Sequence, residues 1–270
     1  MLGLCVGSFL NVVIYRLPII MENNYQDEIN DYTEKDIFDP KNRKINNLYT
    51  QSSFCQNCGH KIRWFENIPF FSYLFLKGKC SSCKQHFSIR YPLIELVTSV
   101  LFGLCAYGIG FNLSLLFSFV FISLVISLFF IDYDTYYLPD DLVYPLLWAG
   151  LIINMINPGL FADNIHTSLY GAILGYMSLW TIYKLFKLLT GKEGMGYGDF
   201  KMNAALLAWF GWTAFIKILL LSAVSASIIG IGFLFYKKES KPIPFGPFLA
   251  IAGIIVLFEK LHFFKIPFLI

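Results

Sequence analysis

Apolar segments separated by short polar connections make up most of the chain after residue 92. An apolar run also occupies residues 1–20, and the later runs cover 93–110, 115–131, 142–156, 167–189, 200–210, 214–235 and 248–261. An apolar helix of roughly 20 residues crosses a bilayer, so this pattern predicts about eight membrane-spanning helices. The run at 200–210 is short, and we interpret it as a tilted or partly re-entrant helix.

The composition also indicates a membrane protein. Hydrophobic residues make up 56% of the 270 residues, and charged residues make up only 14%. Such a chain is far more apolar than an ordinary soluble domain, so we predict an all-α polytopic membrane protein. The net charge of +3 is small, and Lys and Arg are concentrated in loops, which argues against a nucleic-acid partner.

Residues 21–92 differ from their neighbours because they are polar and rich in Lys and Arg. We therefore divide the chain into a first transmembrane helix at 1–20, a small extramembrane domain at 21–92 and a membrane domain at 93–270. Within the polar segment, residues 22–44 predict an irregular loop. The first helix is short for a full span, so we expect its start to be incomplete. It lacks the features of a cleaved secretory signal, so we expect it to be retained.

The distribution of Lys and Arg predicts the orientation of the membrane domain. With alternating helices, the connections at 132–141, 187–199 and 236–245 share a face with the 21–92 domain. These connections carry Lys187, Lys192, Lys237, Lys238 and Lys241. The opposite connections, near 111–114, 157–166 and 211–213, carry no Lys or Arg. Cytoplasmic loops are enriched in positive charge, so we predict that the first set of connections is cytoplasmic.

Two acidic clusters lie at ends of apolar runs on this predicted cytoplasmic face. Asp132 belongs to the first cluster, and Asp199 follows the glycines of the second, at 194, 196 and 198. An ionised carboxylate near hydrocarbon is costly and often marks a functional site. If Asp132 and Asp199 meet, burial and repulsion leave one of them protonated and the other ionised. Such a pair suits hydrolysis of a peptide bond by general acid and base catalysis.

The acidic residues can also have purely structural roles. Asp140 and Asp141 precede an apolar run, so capping of the following helix and its dipole account for them. Asp132 and Asp199 could be solvated acids at helix ends. Alternatively, the two acids could belong to a proton- or cation-coupled membrane transporter. A transporter predicts acids in the middle of the spans, whereas these two lie at the ends.

Four cysteines in the polar segment form two CxxC pairs: Cys55, Cys58, Cys80 and Cys83. Each pair presents two sulfurs from one tight turn, so together they suit tetrahedral Zn²⁺. Four cysteine ligands leave no open coordination position, which predicts a structural zinc ion. Two disulfides are the alternative, and a reduced cytoplasmic location disfavours them.

The acidic motifs resemble those of a known family. The sequences IDYD at 131–134, LPD at 138–140 and GYGDFK at 196–201 are similar to the paired motifs of type IV prepilin leader peptidases. These enzymes are membrane aspartic peptidases of the GxGD kind. The resemblance covers essentially the whole chain, including GSFLNVV at 7–13 and PFGP at 244–247. It implies that Asp132 and Asp199 are the catalytic pair of such a peptidase.

The same resemblance implies substrates, a location and a second activity. Enzymes of this family remove the basic leader of type IV prepilins and type II secretion pseudopilins at the cytoplasmic face of the bacterial inner membrane. Many also methylate the new N-terminus with S-adenosylmethionine. Prepilins, pseudopilins and membrane lipid are therefore the expected partners. The 21–92 domain and its junction with the membrane are the expected place for the methyl donor, but no sequence fingerprint identifies the residues that bind it.

Overall fold

The computed structural model describes residues 1–33, 55, 57–63, 66, 68–237 and 243–263. In this part of the chain there are eight long helices and a short one, α2 (Phe71–Phe75), and no β-strand. The long helices are α1 (Leu2–Thr33), α3 (Arg90–Ile109), α4 (Leu113–Thr135), α5 (Asp140–Ile156), α6 (Ile165–Thr190), α7 (Tyr197–Phe210), α8 (Phe215–Lys237) and α9 (Gly246–Lys260). The prediction of an all-α polytopic membrane protein is confirmed, and the number of long helices in the described residues is compatible with the predicted count of about eight spanning helices.

Several of these helices can cross a membrane. By length and composition, four spans in the described residues are long and apolar enough: Leu2–Asp27, Arg90–Ile109, Leu113–Thr135 and Trp212–Gly232. The helices α5, α7 and α9 have 17, 14 and 15 residues, which is shorter than the roughly 20 residues of a full span. The chain is therefore a multi-pass membrane protein whose bundle also contains shorter helices.

The first helix is longer than the sequence predicts. It contains Pro18 and continues beyond the apolar run as far as Thr33. The prediction of an irregular loop is therefore wrong for residues 22–33. Within this polar part, Gln26 Nε2 donates a hydrogen bond to Glu22 Oε1, one turn earlier, at 2.8 Å. The rest of the predicted loop, at 34–44, lies outside the described residues, as do Lys238 and Lys241.

The chain forms two compact units, residues 1–101 and 102–270. In the first unit, α1 approaches α3 closely at two glycines. A Cβ atom added at Gly3 would lie 2.5 Å from Ser99 Cα, and one added at Gly7 would lie 2.6 Å from Glu95 Cα. Small residues spaced four apart allow such close contact between membrane helices. The division of the chain into segments 1–20, 21–92 and 93–270 stays a prediction.

In the second unit, α7 is the central helix. Every residue from Asp199 to Phe210 is buried except Lys201, and the helices that pack around it include α5, α6 and α9. A helix that is apolar on all sides is a core helix. Its close approach to α6 requires glycine, because a Cβ atom added at Gly171 would lie 2.5 Å from the Leu207 carbonyl oxygen. The helix that carries Asp199 is therefore held in a tightly packed core.

The C-terminal end of α7 is held by Asn154, a buried residue of α5. Its Nδ2 donates hydrogen bonds to the carbonyl oxygens of Ala208 at 3.1 Å and Trp209 at 2.8 Å. Its Oδ1 accepts a hydrogen bond from the Ala162 N–H at 3.1 Å. The last carbonyl groups of a helix have no partner within the helix, and leaving them unpaired in an apolar interior is costly. Asn154 therefore fixes α5 against the end of α7.

We expect Asn154→Leu to destabilise the protein by about 1–3 kcal/mol, because it leaves buried carbonyl groups without a donor. The measurement is the thermal unfolding midpoint of the purified protein in detergent. Met155→Leu is the matched control, since Met155 lies next to Asn154 on α5 and is exposed. An unchanged midpoint for Asn154→Leu would contradict this role.

Candidate active site and metal cluster

Asp132 lies in the last turn of α4, where the helix dipole disfavours a negative charge. Only 4% of the residue is exposed. The charge is compensated by α9, whose first residue, Gly246, donates its N–H to Asp132 Oδ2 at 2.9 Å. A Cβ atom added at Gly246 would lie 2.6 Å from the same oxygen, so glycine is needed for this approach. The N-terminus of α9 therefore forms a small anion-binding site for Asp132.

Asp199 lies in the first turn of α7 and is 8% exposed. Its carboxylate accepts a hydrogen bond from the N–H of Gly196, the residue that precedes the helix. An acid at this position interacts favourably with the helix dipole and pairs with an N–H that the helix itself leaves free. This local role explains an acid in the first turn, but it does not explain burial beside a second acid.

The structure brings Asp132 and Asp199 together at one end of the second unit. The two carboxylates interact electrostatically. The buried side chain of Leu138 lies between their turns: it would be 3.2 Å from a Cβ atom on Gly246 and 2.9 Å from one on Gly198. Both acids are at helix ends and not in the middle of spans. This position agrees with the peptidase interpretation and differs from the expectation for a transporter.

The structure also shows a second contact between the two acidic motifs, which the sequence does not predict. Lys201 Nζ donates hydrogen bonds to both carboxylate oxygens of Asp140, each at 2.8 Å. Lys201 also lies over the ring of Tyr144, 5.5 Å from its centre. The sequence predicts that Asp140 caps α5, but Pro139 occupies the cap position and no side-chain cap bond forms. Asp140 instead connects the first turn of α5 to the first turn of α7. The opposite charges of Asp140 and Lys201 are the feature of the sequence from which this pair could have been predicted.

The glycine-rich loop that leads into α7 is anchored to α6. Lys187 Nζ donates to Glu193 Oε1 at 2.7 Å, and the Tyr183 hydroxyl donates to the same oxygen at 3.3 Å. Lys187 holds the pKa of Glu193 below its ordinary value, because it donates a hydrogen bond and attracts the carboxylate. The ring of Tyr183 also packs against Tyr197 and Phe200, with ring centres 5.5 and 5.6 Å apart. These contacts fix the turn that carries Asp199.

The four predicted cysteine ligands form a compact cluster in the first unit, where all their Sγ atoms lie within 4.8 Å of one another. The Cys55 and Cys83 sulfurs are 3.8 Å apart, and the Cys58 and Cys80 sulfurs are 4.0 Å apart. A tetrahedral zinc ion with bonds of about 2.3 Å to sulfur places its ligands about 3.8 Å apart. The cluster could therefore hold a metal ion. The described residues include all six cysteines of the chain, and each is a free thiol.

The two cysteine pairs share the same backbone turn. Gly59 and Lys84 directly follow the second cysteine of each pair, and both have left-handed conformations, with φ of 69° and 60°. The Gly59 N–H donates to the Cys55 carbonyl at 2.9 Å, and the Lys84 N–H donates to the Cys80 carbonyl at 3.1 Å. These matching turns direct the two sulfurs of each pair towards the centre of the cluster.

Backbone N–H groups stabilise thiolates within the cluster. The Gln85 N–H lowers the pKa of Cys83 to about 6, and the Cys58 N–H lowers the pKa of Cys55 below its ordinary value. The His60 N–H lowers the pKa of Cys58, but burial and the neighbouring cysteines outweigh it and raise this pKa to about 11. Four thiolates repel one another, and a bound cation offsets the repulsion. The thiolate is also the form that binds metal.

The chain matches two protein families in consecutive segments. Residues 1–109 match the bacterial peptidase A24 N-terminal domain, and residues 119–231 match the type IV leader peptidase family. Proteins named prepilin leader peptidase/N-methyltransferase are similar along almost the whole chain. The protein from Stutzerimonas stutzeri is 48% identical and covers 95% of this chain and 88% of its own length.

Two further relatives with the same name give similar values. The protein from Pseudomonas aeruginosa is 48% identical over 95% of this chain and 88% of its own length. The protein from Neisseria gonorrhoeae is 44% identical over 94% of this chain and 87% of its own length. No solved structure gave a significant match to the chain.

We expect Gly246→Ala to lower cleavage of a synthetic prepilin, the substrate that the resemblance implies, by about 100-fold. The added methyl group would overlap Asp132 Oδ2, and misplacing a reacting group by about 1 Å has an effect of this size. The control is Gly232→Ala in α8, where nothing lies within 4 Å of the added Cβ atom. A normal cleavage rate for Gly246→Ala would show that the Gly246 contact does not position Asp132.

We expect Cys80→Ser to lose the bound metal that the cluster predicts, because it removes one of four ligands. The measurement is the metal content per chain by elemental mass spectrometry, which should be one ion in the unmodified protein. Cys5→Ser is the control, since Cys5 is exposed and lies outside the cluster. Unchanged metal content in Cys80→Ser would exclude the site.

Proposed function

The chain belongs to the type IV leader peptidase family, and we propose that it removes the leader peptide of type IV prepilins and type II secretion pseudopilins and then methylates the new N-terminus. The observation that carries the peptidase proposal is the buried pair formed by Asp132 and Asp199 at the ends of α4 and α7. The relatives are peptidases and methyltransferases by name. The transporter alternative therefore has no support from the comparisons.

In the proposed reaction, Asp132 and Asp199 act as a general base and a general acid. Two carboxylates in one buried site share a proton, because like charges and burial disfavour two ionised groups. The ionised carboxylate takes a proton from a water molecule, whose oxygen attacks the scissile carbonyl carbon. The protonated carboxylate donates to the carbonyl oxygen. When the C–N bond breaks, the carboxyl group that took a proton from water donates it to the leaving nitrogen. The tetrahedral intermediate returns a hydroxyl proton to the other carboxylate, and no covalent enzyme intermediate forms.

The position of the acids suits a substrate that is itself embedded in the membrane. The apolar helix of a prepilin remains in the bilayer, so the bond to its leader lies at the membrane surface. Tyr133, Tyr136, Tyr137 and Tyr197 are near the acids in sequence and exposed. Tyrosine is enriched in the headgroup region of membranes. We place the site at this level, where membrane lipid and the substrate helix both reach it.

We place the acidic end of the second unit on the cytoplasmic side of the bacterial inner membrane. Lys187 and Lys192 are close to this end, in agreement with the enrichment of positive charge in cytoplasmic loops. Lys217, near the start of α8, donates a hydrogen bond to Glu259 near the end of α9 at 2.5 Å. Its charge is therefore balanced within the protein and does not oppose this orientation.

We assign the cysteine cluster to a structural Zn²⁺ ion. Cys55, Cys58, Cys80 and Cys83 would fill a tetrahedral shell, which leaves no position for water or substrate. The ion would join two turns of a polar segment in which few apolar side chains of the described residues are buried. Zinc bound there would supply folding energy to this part of the protein and no chemistry to the reaction.

We expect Asp132→Asn and Asp199→Asn each to lower leader cleavage by at least about 1,000-fold, because each removes one half of the general acid and base pair. The assay combines the purified enzyme, a prepilin and S-adenosylmethionine, and the mass of the product reports leader loss and methyl gain separately. Asp141→Asn is the matched control, since Asp141 is exposed in the first turn of α5. Cleavage at a normal rate by either active-site variant would refute the proposed pair.

A further inference from the structure

The ion pair between Lys201 and Asp140 lies close to both proposed catalytic acids along the chain. Lys201 follows Asp199 by two residues in α7, and Asp140 follows Asp132 by eight residues at the start of α5. Lys201 Nζ is 2.8 Å from each carboxylate oxygen of Asp140. The two acidic motifs therefore meet at two places, once at the acids and once at this ion pair.

A short connection of defined shape joins Asp132 to Asp140. Only residues 136–139 lie between the end of α4 and the start of α5. Tyr136 has a left-handed backbone conformation, with φ of 58°, and its N–H donates to the Asp132 carbonyl oxygen at 2.9 Å. The ring of Pro139 fixes its φ, which is −64°. Asp140 therefore cannot shift far without moving the end of α4 that carries Asp132.

The buried side chain of Leu138 limits how closely the turns around the two acids can approach. Its atoms would lie 2.9 Å from a Cβ atom added at Gly198 and 3.2 Å from one added at Gly246, whose N–H binds Asp132. Protein interiors are close-packed, so these contacts leave no space for the turns to move together. The ion pair opposes separation of the turns, and Leu138 opposes their closer approach.

The ion pair is better suited to fixing geometry than to stabilising the fold. The side chains of Lys201 and Asp140 are 28% and 39% exposed, and ion pairs that water reaches add little to the free energy of folding. Their direction is nevertheless defined, because Lys201 binds both carboxylate oxygens and also lies over the ring of Tyr144. A lysine on an otherwise buried helix is costly, which favours a functional role for it.

We propose that Lys201 and Asp140 are positioning residues that set the separation of the Asp132 and Asp199 carboxylates. This inference rests on the proposed peptidase reaction, in which both carboxylates must reach one water molecule and one scissile carbonyl group. Sharing of a proton between the two acids also depends on their separation. The ion pair acts through the turns that carry the acids and does not contact the reacting atoms.

The first test measures kcat and KM for cleavage of a synthetic prepilin by the full-length protein in detergent. We expect Lys201→Met and Asp140→Asn each to lower kcat at least about tenfold and to change KM less than about threefold, because small displacements of reacting groups slow the chemical step. Lys201→Arg retains the charge and paired donors, so its kcat should stay within about threefold of normal. Lys192→Met is the control, since Lys192 is exposed in the loop before α7.

The second test combines Lys201→Met and Asp140→Asn in one protein. Residues that act through a single shared contact lose its effect together, whereas independent residues give losses that multiply. We therefore expect kcat of the double variant to lie within about threefold of kcat of the slower single variant. Multiplied losses would show that the two residues act separately, which would overturn the inference. Thermal unfolding midpoints report whether each variant folds.

Three results would contradict a positioning role of the ion pair while the proposed function stands. A raised KM with normal kcat in the single variants would mean that the pair binds the substrate. Normal kcat with a lowered unfolding midpoint would mean that it serves only stability. A tenfold loss of kcat in Lys201→Arg would mean that charge and donors are not what matters. If Lys201→Met does not fold, Asp140→Asn decides by the same criteria.

The proposed function is tested separately by the acids themselves. If the unmodified protein cleaves no prepilin, or if Asp132→Asn and Asp199→Asn cleave it normally, the proposed peptidase fails and this inference fails with it. If the unmodified protein is active and both acid variants are inactive, while Lys201→Met and Asp140→Asn keep normal kcat, the inference alone fails.

Discussion

The hydrogen bond from the Gly246 N–H to Asp132 is the contact on which the candidate active site depends. A carboxylate buried in the last turn of a helix faces the negative end of that helix, and α4 offers it no compensation. The N-terminus of α9 supplies the compensation, and only glycine permits the approach. Asp199 is stabilised in the same way by the positive end of its own helix, α7. Each of the two acids in the site is therefore next to the positive end of a helix. In the part of the chain that the structure describes, helix ends stabilise each carboxylate in place of a paired cationic side chain.

The rigidity of this arrangement comes from the burial of α7. Asp199 is attached to a helix that is surrounded by α5, α6 and α9, and the glycines of α6 allow the backbones to approach closely. Asn154 holds one end of α7, while the Lys201 contact to Asp140 and the Glu193 contact to Lys187 hold the other. Catalytic groups on packed helices keep their geometry better than groups on free loops. The bundle therefore holds the two acids in a fixed arrangement.

The first unit meets different physical requirements. Few apolar side chains are buried in the described residues of its polar segment, and the four cysteines there form a cluster that could hold a metal ion in place of a larger core. Two glycines bring α1 against α3, and the same two helices contribute the charged walls of a cavity. Leader removal and methylation require water activation in one case and a bound cofactor in the other. Two compact units with different chemistry fit a protein that performs both reactions.

The helices, the multi-pass architecture and the two CxxC turns were predictable from the sequence, because lipid requires long apolar helices and a cysteine turn is a local structure. The motifs around Asp132 and Asp199 also indicated the family. The length of α1 was not predictable, since its polar part has no apolar pattern and yet continues the helix to Thr33. Only the tertiary structure decided that Gly246 holds Asp132, that Lys201 binds Asp140 and that Glu95 and Arg16 line one cavity. These partners are distant in the chain, and their meeting depends on how whole helices pack.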